Sequence, residues 1–481
     1  MRLSDFETLR LLRLVALLAA LASGCTRPLP EGAVKTVVDR SAKGTRVVFV
    51  GLDGADFRLL DRFANDGTMP ELRAIFARAE RRVLLTQHPP LSPLVWTSMM
   101  TGVSPVEHRV LDFTRFHPVT RQQEPITSDE RAVPAIWNIA RYGGKRVGVF
   151  GLWATYPAEP GVVVTDRDLP RDYVAATDLV HARAKEWVTR EKPDLAIVYF
   201  QGTDEIGHFT SGDIEKARAY FRRIDAILGE WKRIAESLDA ELVIASDHGF
   251  DWGGAHHESS TATATAAKWH RNEGVWIEWP REAKSAEPAH VDQVCATLID
   301  RLGLPHGEGI AAPIGASHNN ASVNYRRYFS VATAAPGRRP SDEQLANLKS
   351  LGYIDSTAAA PARASGTRTP QSFNNEGLIL REQKRVDDAE RAFRAALAID
   401  PKYASARTNL DDLLSTRGVE RLHARDCAGA LSDFRGVARE SARLFAGIAA
   451  AEGCLGHDRE AEEAMQRAIA LDPKLADFPA R

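Results

Sequence analysis

Cysteine is scarce. The 481 residues hold four, at positions 25, 295, 427 and 454, and no two form a Cys-x-x-Cys pair. That spacing argues against a thiolate zinc site. Net charge is nearly absent as well, at a formal -2. Nucleic-acid binding needs a basic face, and the overall balance supplies none, although a local patch stays open. Past the N-terminus no segment has the roughly 20 uninterrupted apolar residues of a spanning helix. What remains is an ordinary globular composition, 44% apolar and 26% charged. The chain is long enough for one large domain and a smaller one.

The first 25 residues read as an address. Arg2, Arg10 and Arg13 make a mildly basic start, diluted by Asp5 and Glu7. Leu11 to Leu21 is apolar except at Arg13, and Ala22-Ser23-Gly24 leads into Cys25. This is the pattern of a signal peptide over 1–25. Its ending resembles a bacterial lipoprotein signal, with Cys25 as the lipidated new N-terminus. That implies the periplasmic side of a bacterial cell envelope and a lipid anchor in a membrane. The other readings are a plain export signal or an uncleaved anchor. Residues 26–45 follow as a linker. In an exported chain the spacing of Cys427 and Cys454 permits a disulfide without requiring one.

Over 46–332 apolar strands alternate with helices. Strands are expected at Arg46–Gly51, Arg146–Gly151, Leu195–Phe200 and Leu242–Ala245, unbroken apolar runs of the kind buried on both faces. Helices are expected near 56–65, 70–79, 95–100, 137–141 and 178–191, with a long amphipathic one over 214–238. The pattern predicts an α/β domain with a mostly parallel sheet flanked by helices. Such sheets carry their chemistry at the carboxyl edge. There the strands end in Asp53, in Asp204 with His208, and in Asp247 with His248. Ser92 sits between Pro90 and Pro93, where a helix begins, and helix starts suit phosphate. His270 precedes another apolar stretch. Three carboxylates, three imidazoles and a hydroxyl are about what a two-metal hydrolytic site requires. Asp and His together suit zinc, and manganese tolerates the same set.

The motifs GLDGAD, LSPLVWTSMMTG with PVEH, TDEIGH and SDHGF, in this order, resemble the alkaline phosphatase superfamily. The branch they resemble is the type I phosphodiesterase/nucleotide pyrophosphatase family. GVFGLWATYPAEPG (148–161), Thr165-Asp166-Arg167 and LKSLGYI (348–354) are similar to bacterial members with tetratricopeptide tails. The resemblance implies that Asp53, Asp247 and His248 hold one metal together with the oxygen of Ser92, the nucleophile. Asp204, His208 and His270 would hold the second. The ions would be two divalent metals, Zn2+ or Mn2+, acting on a phosphate-ester substrate through a phosphoserine-type intermediate. Three departures stand out. The asparagine that many relatives carry after the His-Gly matching His108-Arg109 is missing, with Arg115 as a conceivable substitute. The glycine after His108 is missing too. His256 and His257 compete with His270.

Residues 333–372, rich in Pro, Ala, Ser and Thr, read as a linker that holds one short amphipathic piece, Asp342 to Leu351. The tail, 373–481, is helical and repeats: DDAERAFRAALAIDP (387–401) matches EAEEAMQRAIALDP (460–473). Their prolines lie about two periods of the ~34-residue tetratricopeptide repeat apart, so the tail resembles a short array of that kind, able to take a protein partner. The leading expectation is an exported two-metal phosphoric ester hydrolase of the phosphodiesterase/nucleotide pyrophosphatase type. The alternative is a catalytically retired scaffold that recruits partners through its tail. Phosphomonoesterase and phosphonate hydrolase readings stay open. A sulfatase is disfavoured, because Ser92-Pro93-Leu94-Val95 lacks the Cys/Ser-x-Pro-x-Arg setting.

Overall fold

The structure is a computed structural model that describes residues 44–253, 268–315, 317, 321–330, 342–351, 353–354 and 366–477. The signal with Cys25, and His256 and His257, lie outside the described residues. Among those described, no helix is long and apolar enough to cross a membrane.

In chain order the strands are β1 (Arg46–Leu52), β2 (Glu80–Leu85), β3 (Thr114–Phe116), β4 (Gln123–Pro125), β5 (Val147–Phe150), β6 (Val162–Val164) and β7 (Leu195–Phe200). Then come β8 (Ala240–Ala245), β9 (Gly249–Phe250), β10 (His270–Arg271), β11 (Glu273–Trp279), β12 (Lys284–Ser285) and β13 (Ala289–His290). The main sheet runs β12-β2-β11-β8-β1-β7-β5-β6, with β13 also on β2. At its centre β8, β1 and β7 are parallel neighbours, and Gly51 pairs with both Ala245 and Tyr199. The three chains therefore leave the sheet at one level. Asp53, Asp204 and Asp247 reach the same edge by register alone.

The sheet is mixed towards one side. β11 runs antiparallel to both β8 and β2. β2 is not legible as a strand because it opens Glu80-Arg81-Arg82. Pairing of Glu80 with Arg82 and Lys284 makes that opening compatible with a half-buried strand. Helices cover both faces. Phe57–Asn65, Tyr173–Glu191 and Ile214–Leu238 pack on one, and Ser92–Thr101, Ile136–Tyr142 and Gln293–Arg301 on the other. Asp56 caps the first of these by accepting from the Leu59 N–H at 3.0 Å.

The tail folds as helix pairs: Pro370–Glu382 with Val386–Ile399, Ala404–His423 with Cys427–Gly436, and Ala442–Cys454 with Asp458–Leu471. Close approach explains the repeat signature. Ala389 and Phe393, like Ala430 and Phe434, are buried, and Gly377 lies against the Phe393 ring. Met465, in the last pair, is exposed. Cys427 and Cys454 form a disulfide across a Cα separation of 6.0 Å.

Several contacts tie the chain's end to the large domain. Helix Asp342–Ser350 and its turn, within the stretch read as linker, bury Leu345, Leu348, Leu351, Tyr353 and Ile354 against Leu91, Leu94 and Phe113. Beyond it, the Thr369 hydroxyl donates to Asp112 at 2.5 Å and the Asn375 side-chain amide to the Leu111 carbonyl at 2.8 Å. Burial pushes the Asp112 carboxyl up to about 7. Its folded form thus holds a proton, between roughly pH 4 and 7, that the unfolded chain has lost. Stability falls as pH rises through that window, by up to about 4 kcal/mol, and levels off above it. Asp112→Asn is expected to flatten this part of the slope, read as the difference in urea midpoints between pH 5 and pH 8.

Candidate active site

Asp53 follows β1, and its loop is pinned from three sides. The Thr203 hydroxyl donates to the Asp53 carbonyl at 2.6 Å. The Ala55 N–H donates to Ser246 Oγ at 2.8 Å, and that hydroxyl donates to the His248 carbonyl at 2.7 Å. Tyr199, at the end of β7, donates its hydroxyl to Asp53 Oδ2. Trp153 in turn donates its indole N–H to Tyr199 at 2.7 Å, so Trp153 serves packing and orientation. Gly54 is at φ 64°, and a Cβ there would lie 2.8 Å from Asp204 Oδ1. Gly54→Ala is expected to cost about 1–2 kcal/mol of stability and to weaken turnover more than tenfold by displacing Asp204. Thermal melts and steady-state rates check both.

The structure brings all seven expected side chains together. Ser92 Oγ donates to Asp53 Oδ1 at 3.2 Å and lies 3.4 Å from His248 Nε2. His248 Nε2 is 3.3 Å from Asp53 Oδ1 and 3.3 Å from Asp247 Oδ2. Beside this group, His208 Nε2 lies 3.2 Å from Asp204 Oδ2 and 3.3 Å from His270 Nε2, with His270 Nε2 3.5 Å from Asp204 Oδ1. The His248 and His270 rings stack at 3.8 Å, so the two groups share a wall. β9 and β10 pair to bring His270 back over β8's end.

Two of the imidazoles are oriented from behind. His248 Nδ1 donates to the Gly249 carbonyl at 3.0 Å, and His270 Nδ1 to the Pro90 carbonyl at 2.7 Å. Each neutral ring then aims its Nε2 lone pair at carboxylate oxygen. Asp204 Oδ1 and Asp247 Oδ2 are buried with no hydrogen-bond donor. Acceptor facing acceptor in a buried space calls for a cation between them. The ligand atoms of Asp53, Asp247 and His248 all fall within 4.8 Å of one another, as do those of Asp204, His248 and His270. Either group is suited to hold a metal ion; since both count His248, two ions at once need His208 in its place beside Asp204 and His270.

Without an ion, protons supply the missing charge. Burial, then the charge of Asp53, pushes the Asp247 carboxyl well above its usual range. For His248 burial acts downward, but the carboxylates of Asp247 and Asp53 overrule it and hold the ring at about 10. For Asp204 burial acts upward, and His208 and His270 more than reverse it. His270 itself is lowered by burial and by His248.

Arg115 does not replace the missing asparagine. It is buried and held by Glu124, Asp129 and Glu130 at 2.8–3.0 Å through Nε and Nη1, from its place in the β3–β4 ribbon. His108 is a core histidine. Its Nε2 meets Ser98 Oγ at 3.0 Å and its Nδ1 accepts from the Val110 N–H at 3.1 Å, which fixes the helix bearing Ser92. Arg109 adopts φ 68°, keeping the left-handed turn that the absent glycine would favour. Sequence reasoning missed Tyr199, Thr203 and Tyr353. The Tyr353 hydroxyl lies within 3.2 Å of Asp204, His208 and His270. Only its place in LKSLGYI marked it beforehand.

The chain matches the profile of the type I phosphodiesterase / nucleotide pyrophosphatase family over residues 47–317, and that of the tetratricopeptide repeat over 370–403. No curated protein matches it. Among solved structures, murine ectonucleotide pyrophosphatase / phosphodiesterase 5, an inactive form in complex with AMP, is 13% identical with a TM-score of 0.44. That match covers 55% of this chain and 96% of the other. The human counterpart is 15% identical at TM-score 0.42, covering 58% and 97%. Phosphonoacetate hydrolase from Sinorhizobium meliloti, in complex with phosphonoformate, is 16% identical at TM-score 0.36, covering 45% and 58%. The family profile spans more than half of the chain, from the first strand to beyond the last carboxylate and imidazole of the site. This protein belongs to the type I phosphodiesterase / nucleotide pyrophosphatase family, with a tetratricopeptide repeat in its tail.

Proposed function

We propose that the chain is an exported phosphoric ester hydrolase that cleaves phosphodiester or pyrophosphate bonds, with Ser92 as nucleophile. The observation that carries this is the place of Ser92 Oγ, 3.2 Å from Asp53 and 3.4 Å from His248 at the start of a ten-residue helix. Asp53, Asp247 and His248 would hold one divalent cation beside Ser92, and Asp204, His208 and His270 a second. Bound there, the ions would lower the hydroxyl pKa and neutralise charge on phosphoryl oxygens.

The chain's own residues do the rest. Asp53 accepts the Ser92 hydroxyl proton in a hydrogen bond and so fixes the direction of Oγ. Tyr199 locks Asp53 in turn. The N-terminus of helix Ser92–Thr101 presents its dipole to the phosphoryl group as negative charge builds. Oγ forms a bond to phosphorus as the leaving oxygen departs, and water then hydrolyses the phosphoserine. Zinc suits the Asp/His donors, with manganese next. The signal-like N-terminus and the disulfide support export, with Cys25 as lipid anchor. The tail would recruit a protein partner.

The test is a panel of bis(p-nitrophenyl) phosphate, p-nitrophenyl phosphate and a dinucleotide pyrophosphate, offered to the zinc- and manganese-loaded protein. Faster cleavage of diester or pyrophosphate bonds is expected. Preference for the monoester would replace that substrate assignment. Inertness with two ions bound would favour the retired scaffold.

A further inference from the structure

The segment 348–354 has no part in the reading above, yet Tyr353 enters the site. Its hydroxyl oxygen lies 2.9 Å from Asp204 Oδ2, 3.0 Å from His208 Nε2 and 3.2 Å from His270 Nε2. The other separations in this group are 3.2 Å for His208–Asp204, 3.3 Å for His208–His270 and 3.5 Å for His270–Asp204. The four side chains thus converge, Asp204 meeting Tyr353 and His208 through Oδ2 and His270 through Oδ1. A four-coordinate zinc with bonds of about 2.0–2.1 Å separates its donors by about 3.3–3.4 Å. The six separations, 2.9–3.5 Å, fall around that value.

Nothing about Tyr353 is loose. It is buried, and its ring stacks on Phe113 with centroids 4.2 Å apart. The preceding helix is held by its leucines in the apolar cluster and by the Asn347 amide donating to Glu205 at 3.0 Å. All three hydrogen-bond partners of the phenol are the residues assigned to the second cation.

We propose that Tyr353 supplies the fourth donor of that cation site, an assignment that rests on the two-cation reading. The phenol proton, now shared with Asp204, leaves to solvent when the oxygen binds the ion. A site otherwise made of three protein donors is closed by the segment after the large domain. An ion held there would keep room for a substrate oxygen as a further ligand, an expansion that zinc allows. Residues 342–354 thus belong to the catalytic unit.

The test uses full-length protein freed of metal by chelator and titrated with cobalt(II), for wild type and Tyr353→Phe. Phenylalanine keeps the stack on Phe113. Wild type is expected to bind two ions, and the second to bring a tyrosinate difference band in the ultraviolet. Tyr353→Phe is expected to bind the first ion unchanged and the second at least about tenfold more weakly. It should lose the ultraviolet band and change the visible cobalt spectrum. A variant that binds both ions as tightly as wild type, with the same spectra, overturns the inference alone, and so does a wild type that binds two ions without the band. A wild type that binds fewer than two ions overturns the two-cation reading and this inference with it.

Discussion

Ser92→Ala is expected to lower the turnover of a phosphodiester by at least about 10³–10⁴-fold, with both cations still bound and the melting temperature almost unchanged. The prediction is sharp because the substitution removes little else. Ser92 is buried at the first turn of its helix, where alanine fits without rearrangement. Leu91 rather than Ser92 holds the cap position, and no side chain caps this helix, so its start loses no hydrogen bond. Asp53, Asp247 and His248 keep their mutual geometry, and Tyr199 still locks Asp53. What disappears is the oxygen proposed to attack phosphorus. Rates on a diester, metal content by elemental analysis and a thermal melt read the three parts of the claim. Activity within tenfold of wild type would assign the attack to water and leave Ser92 a positioning role.

The carboxylates of this site were legible because each follows an apolar strand. Asp53, Asp204 and Asp247 stand after the runs that became β1, β7 and β8, which pair in parallel with Gly51 opposite Tyr199 and Ala245. Which strands neighbour one another was not legible, since strand order is not written in periodicity. His270 was marked only by its place before an apolar stretch and by the resemblance. Its place depends on the β9–β10 pairing, two residues a side, too short to leave a pattern. Arg115 misled for a physical reason. An arginine near a lost phosphate contact looks available, but three carboxylates on the β3–β4 ribbon and the turn after it consume its donors. Tyr353 was hidden by distance, being 149 residues along the chain from the carboxylate it touches. The stretch around it is polar enough to pass for linker, and only Leu345, Leu348 and Leu351 mark the face that docks.

Stripping the cations is expected to cost the fold as well as the activity. Asp53, Asp204 and Asp247 are each less than 5% exposed, and among the six ligands only the imidazoles can offset their charge. With the ions gone, a proton must take their place, and Asp247 and His248 are the groups driven to hold it. An ion present at a thousandfold its dissociation constant adds about 4 kcal/mol to the native state. Two such ions in a domain of this size raise the melting temperature by on the order of 10–20 °C. The chelated protein should melt earlier by that amount and recover when zinc or manganese is returned. The Ser92→Ala variant should follow the same curve, because loading depends on the ligand cage more than on the nucleophile. A chelated protein that melts within about 2 °C of the loaded one would mean that protons alone satisfy the buried carboxylates. The two groups of ligands would then be a polar core in place of a cation cage.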